Sequence, residues 1–412
     1  FIPYGGLTQN VRLALGTVLW MGVWWVAMPV PPAITAFLPV VINAVFALTD
    51  MSSITNCYSA ELVFLLAGAD IITMVWEITG VDKRIAAHSL ALVGTSVRQQ
   101  VVIWFLISTV LSAVLPNTVV AAVLCSIAMA MLKFVGEGDV GKSSAAKLVL
   151  LAIVWGANNG GMFTPLGGAM NLITVSYVEE LTGAEFLYTD WVRALWPFAL
   201  AVTVLTLVYL LLLPCKKKTL EGSKTYFSDL CKSLPKLSRA GRISLIVFAA
   251  AFTRQLYQRQ FPVLKPGFVF LIGGLLMFFL RDEEKKPIIT WEHVEQNLMW
   301  GMFFLFAGGT ALGALVNGSG ASEVFAGLIA RFPVHNTFLL VLIIVTLNVV
   351  LSDVINNTAC AAVTIPIVIG IAQGLSLPVI PYLWVATVSY NLSYTLPTSI
   401  RSIPIGYGLS PR

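Results

Sequence analysis

Two stretches decide how this chain reads: Leu-Ser-Ala-Val-Leu-Pro-Asn-Thr at Leu111 to Thr118, and Leu-Ser-Asp-Val-Ile-Asn-Asn-Thr at Leu351 to Thr358. Each sits inside a long apolar region, Val101 to Leu132 and Phe338 to Ile371, with Asn117 and Asn357 near the middle. Each is followed by an apolar stretch broken by Gly, Pro or Asn: Phe163 to Asn171 after the first, Leu396 to Gly408 after the second. One Asn in a span can act as a polar contact between helices. Two Asn-Thr tips, each with a downstream break, predict a duplicated half and two re-entrant hairpins. Non-helical backbone at membrane depth survives only where it lines a cavity or is covered by protein. Equivalent breaks in two halves are the pattern of a transporter's binding site.

The surrounding composition agrees. Of 412 residues, 58% are hydrophobic and 11% are charged, against roughly 25% charged in an ordinary soluble domain. Mean hydropathy is +0.86. Runs such as Trp196 to Leu213, Gly267 to Leu280 and Phe338 to Leu351 are long, continuous and nearly free of charge. About 20 such residues span a bilayer, and an unbroken run is a helix signal, not the alternation of a membrane barrel. The expected fold class is an all-α polytopic membrane protein with a duplicated half and broken helices, placed in the plasma membrane with the lipid bilayer as its surroundings.

The net charge of +5 reads as topology. Lys and Arg cluster at Lys83 and Arg84, between Lys216 and Arg242, and at Arg281, Lys285 and Lys286; the positive-inside tendency places these loops in the cytoplasm, so no nucleic-acid partner is expected. Further spans are read near Val11 to Met28, Pro32 to Leu48, Ala60 to Ile78, Ala145 to Val178, Ile243 to Leu256 and Pro266 to Leu280, with another from Met299 to Val316. Asp282 to Gln296 reads as an interfacial or cytoplasmic helix with Trp291 as an anchor. The chain divides on this reading into N-terminal spans (1–100), a first repeat (101–213), a polar basic linker (214–242), second-half spans (243–335) and a second repeat (336–412).

Several chemistries are excluded. Gly136-Glu-Gly-Asp-Val-Gly-Lys142-Ser143 matches the phosphate-loop pattern letter for letter. That pattern needs a strand before it and a helix after it, and here it joins two membrane segments. A short polar loop capping the next helix is the expected reading. His88, His293 and His335 form no catalytic constellation, and Cys57, Cys125, Cys215, Cys231 and Cys360 have neither metal nor disulfide spacing. No enzyme, no metal and no cofactor are expected.

What remains is charge in apolar context: Asp70, Glu77, Asp353 and Arg401. Such residues usually face a cavity. Hairpin tips aim helix N-termini and free amides, which attract anions, and Asn and Thr supply donors and acceptors without fixed charge. Two facing tips with Arg401 nearby suit a small dicarboxylate, and freed carbonyls could also hold Na+. Embedded acids such as Asp70 and Asp353 would instead suit a sodium/proton antiporter.

These motifs resemble those of the divalent anion/sodium symporter family, the INDY-type dicarboxylate transporters. The tips are similar to its paired Ser-Asn-Thr motifs, and the downstream breaks to its Thr-Pro-Pro-Asn loops. Val93 to Arg98, Gly160-Gly161, Thr164, Gly167 to Asn171, Tyr394, Pro397 and Gly406 to Gly408 extend the resemblance along nearly the whole chain. It implies an inverted-repeat fold with scaffold and transport domains, a homodimer, an elevator mechanism, a small anionic substrate and substrate contacts at Asn117, Thr118, Asn356, Asn357 and Thr358. It also implies cation sites, one matching Ser112, Asn117 and Gly167, the other at Ser352, Asn357 and Ser399. A further helix would follow Arg412. The departures are Pro116 and Asn356 in place of the motif serines, Gly168-Ala-Met-Asn171 in the first loop and Ile400-Arg401-Ser-Ile403 in the second. Arg401 stands near where a bound cation is expected. A fixed charge there could replace Na+, so the expected function is sodium-independent exchange of succinate, malate, fumarate, 2-oxoglutarate or citrate, with sodium-coupled symport as the alternative.

Overall fold

A computed structural model describes residues 7–90, 94–258, 265–283, 285–321, 324 and 336–394. In chain order its helices are α1 (Gln9–Ala27), α2 (Pro32–Thr35), α3 (Leu38–Phe46), α4 (Met51–Thr55), α5 (Glu61–Thr79), α6 (Val81–Leu90), α7 (Val97–Ser112), α8 (Asn117–Phe134), α9 (Ser144–Gly160) and α10 (Ala169–Thr182). They continue with α11 (Tyr188–Leu212), α12 (Ser223–Ser233), α13 (Arg239–Leu256), α14 (Pro266–Met277), α15 (Trp291–Asn297), α16 (Trp300–Gly318), α17 (Thr337–Val354), α18 (Asn357–Gly374) and α19 (Val379–Tyr390). Among the described residues there is no strand, only two isolated bridges. Six helical segments among them are long and apolar enough to cross a membrane, as the absence of water's hydrogen bonds in lipid requires. The protein is an all-helical, multi-pass membrane protein.

At the two tips the chain turns from one helix into the next, α7 to α8 and α17 to α18. The chain leaves the helix at Ala113–Pro116 and again at Ile355–Asn356, where Pro116 has no N–H to give and Asn356 prefers a cap to a helix interior. The predicted irregular centre of 145–178 is the gap between α9 and α10, residues 161–168, with one 3-10 turn at Pro165–Gly167.

Three expectations are corrected. The basic linker is not a plain connector: residues 223–233 form α12, which buries Phe227 and Ser223 while its lysines face outward. Of Asp282 to Gln296 only the end, from Trp291, is helical; Thr290 caps it by accepting from His293 N, and the preceding residues form a turn bridged from Arg281 to Pro287. The span at Pro32 to Leu48 is interrupted at Ala36 and Phe37.

The helices group into two compact units, named for their order along the chain. The flanking unit comprises the described residues of Phe1–Leu66, Gly168–Phe186 and Met299–Ser393. Val11, Ile54, Ala311 and Leu315 sit in its core. The central unit comprises those of Ala67–Gly167, Leu187–Leu298 and Tyr394–Arg412. Here α9 lies against α7 at the closest range helices allow. A Cβ added at Gly156 would stand 2.5 Å from the Phe105 carbonyl oxygen, and one at Gly160 would stand 2.3 Å from that of Thr109. This is the small-residue crossing typical of membrane helices, and it fixes the first hairpin on α9.

Candidate functional site

The first tip lies in the central unit. Both feet of its hairpin are held by the linker: Val97 N donates to Lys218 O at 2.9 Å, Leu220 N donates to Thr95 O at 2.7 Å, and Lys217 pairs with Glu137 just past the end of α8. The chain therefore enters and leaves this hairpin on one side. Lys217 and the Ser143 hydroxyl hold the Glu137 carboxyl below its ordinary range. Ser143 also accepts from Ala146 N at 3.1 Å, so the phosphate-loop look-alike is the cap of α9.

At the tip, Ser112 is fully buried and its hydroxyl donates to Asn117 Oδ1 at 2.6 Å. A Cβ at Gly161 would lie 3.2 Å from Asn117 Nδ2, 3.2 Å from Gly167 O and 3.3 Å from Asn158 O. The structure thus brings Ser112, Asn117 and Gly167 together around the first break. Gly167 is dictated by this approach, since a Cβ there would stand 2.2 Å from Gly161 O. Thr164 donates to Ala113 O and ties the break to the turn. Pro116 provides no capping side chain, and only its carbonyl is used, by Val120 N at 3.1 Å. The amides of Asn117, Thr118 and Val119 are left at the open end of α8, where a helix attracts negative charge.

The second tip lies in the flanking unit. Asn356 caps α18 by accepting from Ala359 N at 2.9 Å. Asn357 and Thr358 are buried. Ser393 donates to Asn357 Oδ1 at 2.9 Å, while Asn357 Nδ2 is buried with no hydrogen-bond partner among the described residues. A buried donor without an acceptor is costly, so this amide has a hydrogen to offer a ligand oxygen. Ser352 is also buried, and its hydroxyl donates back to Val349 O at 3.0 Å. Arg401 and Ser399 lie outside the described residues.

Sequence reasoning missed a second layer. In the flanking unit, Asn391 Nδ2 donates to Asn171 Oδ1 at 3.3 Å, and the Tyr390 hydroxyl lies 2.7 Å from that of Thr174 and 3.1 Å from Met170 O. The polar run Ser389 to Tyr394, inside an apolar stretch, was the available signal. In the central unit, Asn158 and Asn159 are fully buried in α9, and the Tyr394 hydroxyl donates to Asn159 Oδ1. Asp70 is buried, Asp353 is half-buried, and both are engaged.

The sequence matches the citrate transporter family over residues 22–389. It is 25% identical to the sodium-dependent dicarboxylate transporter SdcS of Staphylococcus saprophyticus, across 98% of this chain and 81% of the relative. It is 24% identical to the protein of that name from Staphylococcus aureus strain USA300, across 96% of this chain and 79% of the relative. These relatives are transporters, not enzymes, and match nearly the full length of this chain. With the family match spanning most of its residues, the chain belongs to the citrate transporter family and is a multi-pass plasma-membrane transporter of the divalent anion/sodium symporter kind.

Proposed function

We propose that the protein is a sodium-coupled secondary transporter of small dicarboxylates, with Asn117, Thr118, Asn356, Asn357 and Thr358 as substrate contacts. The observation that carries this reading is the Asn357 amide. Its oxygen is held by Ser393 and its buried nitrogen is left to donate. The uncapped amides of α8 supply the same kind of donor at the other tip. Both suit carboxylate oxygens, and neither uses a fixed charge.

The sodium half rests on chemistry at the first tip and on the names of the relatives. Ser112 Oγ, Asn117 Oδ1, Asn158 O and Gly167 O are neutral oxygens around one break, the donor type that unwound transporter helices offer Na+. Energetics points the same way. A dianion entering a cell held at about −100 mV is opposed by about 4.6 kcal/mol, which co-transported cations offset. This reading displaces the exchange expected from Arg401, because the relatives are sodium-dependent. An elevator movement within a homodimer is the mechanism that the family resemblance implies.

The test is uptake of labelled succinate into proteoliposomes. Accumulation driven by an inward Na+ gradient, without internal substrate, is expected. Uptake that needs internal dicarboxylate and ignores Na+ would restore the exchanger. Proton-driven Na+ flux abolished by Asp353→Asn would mean an antiporter.

A further inference from the structure

The central unit contains a cleft of about 660 Å³ beside the turn of the first hairpin. It opens between the last turn of α7, the first break, the start of α11 and Phe252 of α13. Its wall is apolar, formed by Val110, Val114, Phe163, Val192 and Trp196 with Phe252, and its one charged lining residue is Arg193. The indoles beside it are satisfied by the break: Trp196 Nε1 donates to Phe163 O at 2.8 Å and Trp191 Nε1 to Met162 O at 3.0 Å. Arg193 is exposed and has no ion pair or hydrogen bond among the described residues. The acid one turn earlier, Asp190, accepts from Leu187 N at 3.2 Å instead.

Position gives this cleft a meaning. α11 begins with Tyr188, Trp191, Arg193 and Trp196, the residue types that settle at the membrane–water interface. Its other end runs into the basic linker, which the positive-inside tendency keeps cytoplasmic. The cleft therefore lies toward the opposite leaflet, with one cation at its mouth. An apolar slot of this size is a poor container for water and falls within the range of ligand pockets.

We propose that the cleft binds an anionic phospholipid, one acyl chain lying along the apolar wall and the phosphate meeting Arg193. A guanidinium fits phosphate in a two-pronged geometry, and an otherwise unpartnered cation beside hydrocarbon selects a negatively charged amphiphile over a zwitterionic one. The occupant would touch Ala113 and Val114, the residues that lead into Pro116, and Thr164, whose hydroxyl holds Ala113 O. Lipid there braces the turn of the first hairpin, so it adjusts turnover without contacting the transported anion. Binding stands independently of the proposed substrate; only the effect on turnover rests on it.

The test uses the full chain in nanodiscs with phosphatidylglycerol or phosphatidylcholine bearing a photoactivatable acyl chain, and mass mapping of the adducts. Phosphatidylglycerol is expected to label the segments at 109–114 or 192–196 about tenfold more than phosphatidylcholine. Arg193→Gln should remove that preference, Arg193→Lys should keep part of it, and Val192→Trp should block labelling by both. Equal labelling by the two lipids, or an Arg193→Gln protein of unchanged preference and thermal stability, would overturn the proposal. So would stronger labelling by a photoactivatable free fatty acid, or cross-links between two copies across the cleft in place of lipid adducts. In proteoliposomes, phosphatidylglycerol should raise maximal uptake severalfold in the wild type and not in Arg193→Gln, with the substrate KM unchanged.

Discussion

In the first hairpin Pro116 stands where α8 needs a capping side chain; in the second, Asn356 holds that place and takes the hydrogen of Ala359 N. The first hairpin is held from outside, by the glycine face of α9 and by the linker at its feet. The second is held from within: Thr364 donates to Asn348 Oδ1 at 2.6 Å between α18 and α17, and Cys360 lies 3.5 Å from Asn348 O. The contrast extends to the donors at the tips. The first leaves three backbone amides open; the second has capped the third and offers the Asn357 side chain instead. Two motifs that look equivalent in sequence therefore offer different donors, three open backbone amides at one, and two with a side-chain amide at the other.

The largest way to break the comparison is Gly160→Leu. Its side chain would have to occupy space held by the Thr109 backbone and the Ser112 side chain. Overpacking usually costs about 1–3 kcal/mol, and a backbone obstacle cannot move aside, so about 3 kcal/mol or more is expected. The readout is loss of monodisperse protein on size exclusion. A well-folded Gly160→Leu protein would show that the first hairpin does not depend on α9.

Next come the tips themselves. Asn357→Ala removes a buried donor and acceptor, and Asn117→Ala removes the partner of Ser112. Each should lower kcat/KM for dicarboxylate uptake about 100-fold, equivalent to about 2.8 kcal/mol, with the folded protein retained. If the Na+ oxygens sit at the first tip as proposed, Asn117→Ala should also raise the Na+ concentration for half-maximal uptake. Wild-type uptake by either variant would remove that residue from the site.

Asn348→Leu sharpens the second half of the comparison. It strands Thr364 Oγ1, which then keeps only its bond to Cys360 O. Losing a buried side-chain bond costs about 1–3 kcal/mol, read as a fall in melting temperature. Pro116→Ser should act oppositely at the first tip, since a serine there can accept from an open amide and caps typically contribute about 1 kcal/mol. The gain in melting temperature should come with a severalfold rise in substrate KM, because the capped amide is no longer free for the anion.

Much of this was legible in the sequence, for physical reasons. Pro116, Asn117 and Asn356 break helices by their own chemistry, so both turns could be placed from residues alone. Asn158 and Asn159 were hidden because they continue an apolar span whose face toward α7 is decided by Gly156 and Gly160, a tertiary fact. α12 was hidden by its lysines: a run from Lys216 to Arg242 reads as solvated linker until Phe227 is seen buried against Trp104, ring centroids 5.9 Å apart. The helix expected across Asp282 to Gln296 failed where Pro287 and a left-handed Lys285 turn the backbone. The weight given to Arg401 was a matter of charge alone, and charge near a site does not choose between exchange and symport.

The smallest effect lies at the feet of the first hairpin, where Lys217 meets Glu137. Because Lys217 and Ser143 hold the Glu137 carboxyl below its ordinary value, the pair stabilises the fold above the unfolded pKa of about 4.3. That contribution is lost as pH falls through the lowered folded value. The pair is partly open to solvent, so its worth is about 0.2–1 kcal/mol and should shrink in high salt. Lys217→Ala should therefore lower the melting temperature slightly at pH 7, and the wild-type and variant curves should converge as the pH drops toward 3. The linker also grips this hairpin through backbone bonds at Val97 and Leu220, which the substitution leaves in place. If uptake nevertheless fell as far as in Asn117→Ala, the clamp would be part of the transport cycle, and the first hairpin would be the one whose feet, not only its tip, must be held for an anion to cross.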